Sequence, residues 1–282
     1  MRRKGTEVLE VRELVKESSK VVTLYVQPNH PERWIDMDPG QFLMVWIPDV
    51  DEIPMSVSYL EGEPPRIGIT VQDVGEATHA LCRLKEGDKI GIRGPYGNGF
   101  HIPRDGSVER IIGVSGGVGA ASTVLALERA RSDGIEVVNL VGARSENILI
   151  YWNRWNSFSD RLEIATDDGS AGYHGLVTDL LEKELSTIEE KDRETTLVVT
   201  CGPELMMKSV HILLKRFGVR GLFSLERLMK CGIGVCDSCA LSGIRVCQDG
   251  PIFNVEELDK LKDFGVSQRD GRGKLISIRE CV

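Results

Sequence analysis

The sequence predicts a multi-domain α/β protein. An antiparallel β-barrel spans residues 1–104, a parallel α/β layer spans 105–222, and a small cysteine-bearing module spans 223–282. Three observations predict this. Short strand-like runs separated by Gly and Pro turn signals fill the first segment, the pattern of a small barrel. Strand and helix patterns alternate through the second, which implies a parallel sheet with helices on its faces. Four cysteines, Cys231, Cys236, Cys239 and Cys247, crowd into the third.

Taken in order, the barrel strands are Thr6–Val15, Lys20–Gln27, Gln41–Ile47, Met55–Leu60, Arg66–Val71 and Lys89–Arg93. Pro28, Pro39-Gly40 and Glu61-Gly62 mark turns between them. Ala77–Leu84 reads as one short helix before the last strand. In the second segment Arg110–Val114 is a strand and Ala120–Arg131 a helix. Glu136–Val141, Leu162–Thr166 and Leu197–Thr200 are further strands, and helices Val177–Leu185 and Glu204–Phe217 follow the last two. Lys183–Thr195, rich in Glu and Lys, reads as a solvated helix end and loop. The third segment carries the cysteines and then a polar tail. The sequence has no internal repeat and no low-complexity tract.

Composition bounds the function. The chain has 282 residues and is 41% hydrophobic, ample for packed cores. A net charge of −8 argues against nucleic acid as a partner. No apolar run approaches the ~18 residues of a membrane span. The start, Met-Arg-Arg-Lys-Gly-Thr-Glu-Val, is basic but lacks the apolar stretch of a secretory signal. Seven cysteines without an export signal point to a reducing, cytoplasmic setting. Of these, Cys82 and Cys281 read as passive thiols.

The cysteine spacing is C-x4-C-x2-C-x7-C, and its first gaps match the plant-type ferredoxin loop that holds a 2Fe–2S cluster. Ser242-Gly243 is a turn dipeptide that can fold a hairpin and return Cys247 to the other three. Gly232 and Gly234 permit the inward-pointing N–H groups such a loop needs. Zinc and structural thiols are the alternatives. Structural zinc usually pairs two short C-x2–4-C units, and only one is present.

Other motifs sit at strand ends. Arg110–Val114 runs into Ser115-Gly116-Gly117-Val118-Gly119-Ala120-Ala121, where glycines let phosphates approach the backbone and a helix N-terminus. It departs from G-x-G-x-x-G, and a tight turn explains it equally well. The next strand ends in Leu140-Val141-Gly142-Ala143-Arg144-Ser145, with no acid to anchor a ribose. Arg144 and Ser145 are candidate ribose or 2′-phosphate contacts, or an ordinary loop. Asp168 and Gly169 lie in a polar turn at another strand end, on the edge where ligands usually sit. Thr200-Cys201-Gly202-Pro203 places a thiol at the sheet's ligand crevice, unless Cys201 only fills space. In the first segment, Pro54-Met55-Ser56-Val57-Ser58-Tyr59 has hydroxyls on alternate positions. Gly75-Glu76-Ala77-Thr78 opens the short helix as a candidate pyrophosphate site. Gly94-Pro95-Tyr96-Gly97-Asn98-Gly99-Phe100 closes the barrel.

Together these features resemble the ferredoxin–NADP⁺ reductase superfamily: a barrel, then a nucleotide sheet with Gly-Gly-x-Gly and Cys-Gly-Pro. The strings Ser224–Cys239, read as SLERLMKCGIGVCDSC, and Val246–Phe253, read as VCQDGPIF, closely resemble the electron transfer subunit of class B dihydroorotate dehydrogenase. The resemblance runs nearly end to end. It implies that Pro54, Met55, Ser56, Val57 and Ser58 lie along the FAD isoalloxazine and ribityl chain. Gly75, Ala77 and Thr78 would hold the FAD pyrophosphate. Gly116, Gly117 and Gly119 would meet the phosphates of NAD(P), and Asp168 and Gly169 would line the same site. Cys201, the candidate catalytic residue, would sit near the nicotinamide ring, and the four cysteines would hold the cluster. The chain departs from the family pattern at Ile53, where arginine usually stands, which leaves Arg66 or Arg83 as substitutes. It also departs at Ala77, where glycine is common, and at Ser122, where proline often follows.

The implied activity is an electron relay in pyrimidine (UMP) biosynthesis. Electrons from dihydroorotate would reach FMN on a separate catalytic subunit, cross the cluster to FAD, and reduce NAD⁺. The family's assembly is a heterotetramer of two relay and two catalytic subunits. The alternative is the same relay serving a hydrogenase, a sulfur reductase or a ferredoxin:NADP oxidoreductase. In the last of these an aspartate commonly replaces the first cysteine, so Cys231 favours the dihydroorotate partner.

Overall fold

A computed structural model describes residues 5–278; Cys281 lies outside the described residues, as do residues 1–4 of the basic start. The barrel strands are β1 Glu7–Lys16, β2 Val21–Val26, β3 Phe42–Ile47, β4 Asp51–Glu61, β5 Arg66–Gln72 and β6 Lys89–Tyr96, with helix α1 Glu76–Cys82 before the last. They close in the order β1-β2-β5-β4-β3-β6. Alternation drives the closure. Leu9 and Val11 of β1, Leu24 and Val26 of β2, Leu43 and Val45 of β3, and Ile90 and Ile92 of β6 all point into one core. Trp34 and Met37, from the long β2–β3 connection, complete that core. The carboxylate of Glu7, buried at the barrel mouth, is satisfied by Arg33 at 2.8 Å and by the N–H groups of Asn29 and His30.

The second layer is built from β7 Arg110–Gly116, α2 Ala120–Ser132, β8 Glu136–Ala143, α3 Trp152–Phe158, β9 Arg161–Thr166, β10 Tyr173–His174, α4 Val177–Thr187, β11 Thr196–Cys201, α5 Glu204–Phe217 and β12 Arg220–Ser224. These strands run parallel in the order β10-β9-β8-β7-β11-β12. β7, β8 and β11 are buried on both faces and so read as near-continuous apolar runs. The expected helix Glu204–Phe217 has the observed bounds, whereas α3 was not expected.

The third segment is woven into this sheet. After the cysteines come a hairpin, β13 Ala240–Leu241 and β14 Ile244–Arg245, then a short helix α6 Val246–Asp249, β15 Ile252–Asn254, α7 Val255–Asp259 and a final hairpin β16 Ser267–Arg269 and β17 Leu275–Ser277. β15 pairs antiparallel with β12 and becomes the sheet's last strand. β12 itself crosses residue 222, where the second segment was expected to end. The first hairpin turns at Ser242 and Gly243, both with positive φ, which suits a tight two-residue turn.

Barrel and sheet are joined by a buried polar seam. Helix α2 packs across β4. Arg154 of α3 grips Glu128 of α2 through both carboxylate oxygens, donates to the Ser58 carbonyl at 2.8 Å, and lies 3.7 Å over the Tyr59 ring. The buried Tyr151 hydroxyl bonds Thr70 of β5. No helix among the described residues is long and apolar enough to cross a membrane.

Candidate functional site

Two features of the sheet locate a ligand crevice. Strand order reverses beside β7, with β8 on one side and β11 on the other. In open α/β sheets ligands bind at the carboxyl ends of the strands where the order switches. Here those ends are Ser115-Gly116 and Cys201, in register across the β7–β11 pair. The turn into α2 is pressed against β11: a Cβ on Gly119 would lie 2.6 Å from the Cys201 carbonyl and the Gly202 nitrogen. Glycine at 119 is therefore required by close backbone approach. The 13-residue α2 has no acidic side chain in its first turn and no side-chain cap, so its N-terminus remains available to an anion.

The crevice opens into a cleft of about 260 Å³ between sheet and barrel. Pro54, Met55, Ser56, Thr70, Gln72, Val74 and Thr78 form its barrel wall. Val118, Gly119, Ala121, Ser122 and Cys201 form its sheet wall, and Ser224 to Arg227 with Met229 close its end. The walls are mostly apolar with a few polar groups, as an amphiphilic ring system requires.

The structure brings some expected residues together here and leaves others apart. Pro54, Met55, Ser56, Thr78, Gly119 and Cys201 line the cleft. Val57 points into the barrel core, and the buried Ser58 hydroxyl bonds Gly68 and Thr70. Gly75 is exposed and Ala77 packs against the barrel core. The Thr78 hydroxyl is engaged locally, accepting from the N–H groups of Val74 and Gly75. Gly116 and Gly117 stand at the rim of the crevice, at the end of β7. Asp168 and Gly169 form an exposed turn after β9, where the Asp168 carboxylate accepts from the backbone and hydroxyl of Ser170. Those two bonds lower its pKa. Neither arginine considered in place of Ile53 lines the cleft. Arg66 is paired with Glu13 and stacked on Tyr25, and Arg83 borders a separate groove with Lys16 and Lys20.

Glu226 and Arg227, which the sequence reading passed over, do line it. Glu226 is exposed to the cleft, and its carboxyl lies 3.8 Å from the Cys201 sulfur. Withdrawal from bulk water among the cleft walls raises the pKa of both groups, and for buried Cys201 the neighbouring carboxyl adds to the effect. Cys201 is thus held as a neutral thiol, not a thiolate nucleophile. The Arg227 guanidinium is paired with Glu204 at the start of α5, while its Nε has no hydrogen-bond partner.

The cysteine loop lies against the outer face of the barrel. Gly232, at φ 69°, approaches Met44, so that a Cβ there would come within 2.9 Å of it. Buried Phe42 and Met44 share a core with Cys239, Cys247, Met229 and Leu241. Arg93 of β6 donates to the Cys231 carbonyl at 2.8 Å. Around the sulfurs the backbone turns its N–H groups inward. Ile233 and Val235 approach Cys231 Sγ at 3.5 and 3.3 Å, Gly234 approaches Cys247 Sγ at 3.2 Å, and Cys247 N approaches Cys239 Sγ at 3.4 Å.

Burial pushes the Cys231 thiol up, but the N–H groups of Ile233, Val235 and Cys236 outweigh it and bring it down to about 6. Burial pushes Cys247 up to about 12, with Cys239 adding to the rise. Among the described residues no group of three or more His, Cys, Asp or Glu side chains is already arranged around a metal position. Four cysteines on one loop and hairpin, with backbone N–H donors aimed at the sulfurs of Cys231, Cys239 and Cys247, fit a binuclear cluster, which spreads four cysteines over two irons.

The family model for the iron–sulfur cluster binding domain of dihydroorotate dehydrogenase B matches residues 226–259. A Methanocaldococcus jannaschii protein, named a probable dihydroorotate dehydrogenase B (NAD(+)) electron transfer subunit, is 39% identical, covering 95% of this chain and 97% of its own length. One of the same name from Methanocella arvoryzae is 42% identical over 94% and 96%. The chain belongs to the dihydroorotate dehydrogenase B electron transfer subunit family.

A solved NADH-dependent reduced ferredoxin–NADP oxidoreductase structure resembles this family member with a TM-score of 0.79 and 30% identity, over 92% of this chain and 93% of the other. The cytochrome b5 reductase domain of Ulva prolifera nitrate reductase shares the fold at a TM-score of 0.62 and 20% identity, over 77% and 95%. The barrel-plus-sheet architecture expected from sequence is therefore that of flavin reductases. Glu226 and Arg227 precede the cysteines in a polar string, and only packing against β11 and α5 brings Glu226 to Cys201 and buries Arg227.

Proposed function

We propose that this chain relays electrons between the FMN-containing catalytic subunit of dihydroorotate dehydrogenase and NAD, through a 2Fe–2S cluster and FAD, in pyrimidine (UMP) biosynthesis. One observation carries the reading. The nucleotide crevice, the barrel-side cleft and the cysteine loop follow one another across a single unbroken packing unit, with β3 and β4 of the barrel between the last two. Bound in that cleft, FAD supplies the conversion between two-electron hydride chemistry and the one-electron chemistry of the cluster.

In this reading Pro54, Met55 and Ser56 support the flavin. Val57 and Ser58 stiffen the same strand from behind, and the Gly75–Thr78 turn with Ala77 borders the flavin's phosphates. Gly116, Gly117, Gly119 and the start of α2 take the nucleotide's phosphates, and Asp168 and Gly169 border its far end. Cys201, neutral beside Glu226, faces the nicotinamide as a small polarizable wall that offers no competing charge. Cys231, Cys236, Cys239 and Cys247 hold the cluster. The exposed Ile233 and Val235 beside Cys236 form the tip that meets the catalytic subunit, in an expected heterotetramer.

The test is anaerobic purification followed by metal, flavin and turnover assays. The expected result is bound flavin, about two irons per chain, flavin bleaching by NADH, and dihydroorotate-dependent NAD⁺ reduction only when the catalytic subunit is added. Stoichiometric zinc without iron refutes the relay. Full relay to a different oxidoreductase, with none to the dihydroorotate enzyme, refutes the partner.

A further inference from the structure

Arg93 stands where the barrel meets the cysteine loop, and its surroundings are those of a fixed charge. It projects outward from β6, opposite Met44 of β3, with a side chain only 15% exposed. Nε and Nη2 each reach one oxygen of Glu52 at 2.6 Å, a bidentate fork from β4, which lies beyond β3 in the barrel. The third nitrogen, Nη1, donates to the Cys231 carbonyl at 2.8 Å and lies 3.3 Å from the Tyr96 hydroxyl. The guanidinium also sits 5.4 Å from the Tyr96 ring centroid. A guanidinium remains charged at any physiological pH, and the Glu52 pairing reinforces this. Lysine, with a point charge and no planar fork, would not satisfy Glu52 and Cys231 together.

We propose that Arg93, aimed by Glu52, is a positioning residue that docks the cysteine loop on the barrel and sets the reduction potential of the cluster held there. The inference rests on the cluster reading above. Reduction adds one negative charge to the site. A partly buried cation one hydrogen bond from a ligand residue stabilises the reduced form more than the oxidised form, because Coulomb energy grows as water is excluded. Charge, hydrogen bonding and exposure are the levers that tune such potentials. Glu52 acts in the opposite sense. It orients Arg93, yet its own negative charge opposes the added electron.

The two residues therefore make predictions of opposite sign. In EPR-monitored redox titrations of the purified holoprotein, Arg93→Met removes the cation and leaves Glu52 uncompensated. The cluster should become harder to reduce by about tenfold in its one-electron equilibrium, which is about 59 mV. Glu52→Gln keeps a hydrogen-bond acceptor for Arg93 and removes the negative charge, so the cluster should become easier to reduce. Simple loosening of the loop would not move the two variants in opposite directions. The inference is overturned if both variants keep wild-type iron content and titrate at the wild-type potential, or if both shift the same way. Should Arg93→Met fail to hold iron, Glu52→Gln decides alone, and an unchanged or lowered potential overturns it. Absence of iron from the wild-type chain would instead remove the cluster reading itself.

Discussion

Gly119→Ala isolates one contact between the fold and the proposed nucleotide site. Gly119 has right-handed backbone angles, φ −56° and ψ −22°, so alanine meets no dihedral strain there. The obstacle is contact alone. The new Cβ would stand 2.6 Å from three atoms of the Cys201–Gly202 backbone, roughly 1 Å inside the ~3.5–4.0 Å at which such atoms sit comfortably. None of these is a flexible side-chain end, so the turn into α2 and the end of β11 must part. Overpacking of this kind costs about 1–3 kcal/mol. For a chain of this size that is a loss of roughly 2–4 °C in Tm per kcal/mol.

The functional loss should exceed what stability explains, because a displacement of about 1 Å at a reacting site can cost about a hundredfold in rate. The assay is stopped-flow reduction of bound FAD by NADH, well below the melting temperature. Gly134→Ala is the comparison. At φ +87°, with nothing within 4 Å of the new Cβ, it incurs left-handed strain of about 1–2 kcal/mol far from the crevice. The expected outcome is slow flavin reduction in Gly119→Ala and wild-type reduction in Gly134→Ala at similar stability. Equal rates in the two variants would refute the argument that this turn positions the nucleotide.

Other consequences follow from the same geometry. Cys236→Ser should lower iron content and abolish transfer to the catalytic subunit while leaving NADH-to-FAD reduction intact; unchanged transfer would take the cluster off the path. Arg227→Met strands the buried Glu204 carboxylate and should cost about 3–5 kcal/mol, whereas Arg227→Met with Glu204→Leu should recover most of it; denaturant melts of the three proteins check this. Glu226→Gln should alter the pH dependence of stability. Desolvation in the cleft raises the Glu226 pKa above its ordinary value of 4.5, so the stability it contributes is complete below 4.5 and is lost as pH rises through the raised value. The glutamine variant should therefore be the more stable protein at neutral pH, with the gap closing as pH falls toward 4.5, and a gap that stayed constant with pH would contradict the desolvation of that carboxyl.

Local pattern carried much of this structure. Short strand-like runs between Gly and Pro turns mark the barrel strands β1 to β6, and the doubly buried β7, β8 and β11 announce themselves as apolar runs. Ser242-Gly243 announces its turn because two positive-φ residues are a local requirement. What local pattern could not carry was set by distant partners. β15 has three residues, too few to show a period, and exists because β12 offers it an edge. Helix α3 has seven residues, with Trp155 buried and Trp152 exposed, and its place is fixed by Arg154 reaching Glu128 and Ser58. Thr78 lines the cleft as the sequence suggests, but its local bonds to the N–H groups of Val74 and Gly75 depend on the turn geometry and are not legible in sequence. Glu226 and Cys201 are 25 residues apart and meet only when β12 lies beside β11.

The cysteine loop is attached to both layers, and that bears on how it works. Asn98, in the turn that closes the barrel, exchanges two hydrogen bonds with the backbone of Ile252 at 2.9 Å each, and its own N–H reaches the Gly250 carbonyl at 2.7 Å. Arg93 ties the barrel to Cys231, and β12–β15 pairing ties the segment to the sheet. Arg227, two residues after Leu225, ties it to α5, and Glu204 in turn accepts from Gly265 in the tail at 2.7 Å. Buried hydrogen bonds to charged groups contribute about 1.5–3 kcal/mol each, so undocking the loop would break several at once and expose the Phe42–Met44 contact to water. A swinging carrier needs attachments weak enough to release. Attachments this numerous hold the loop still, so in the proposed relay the partner must come to the loop.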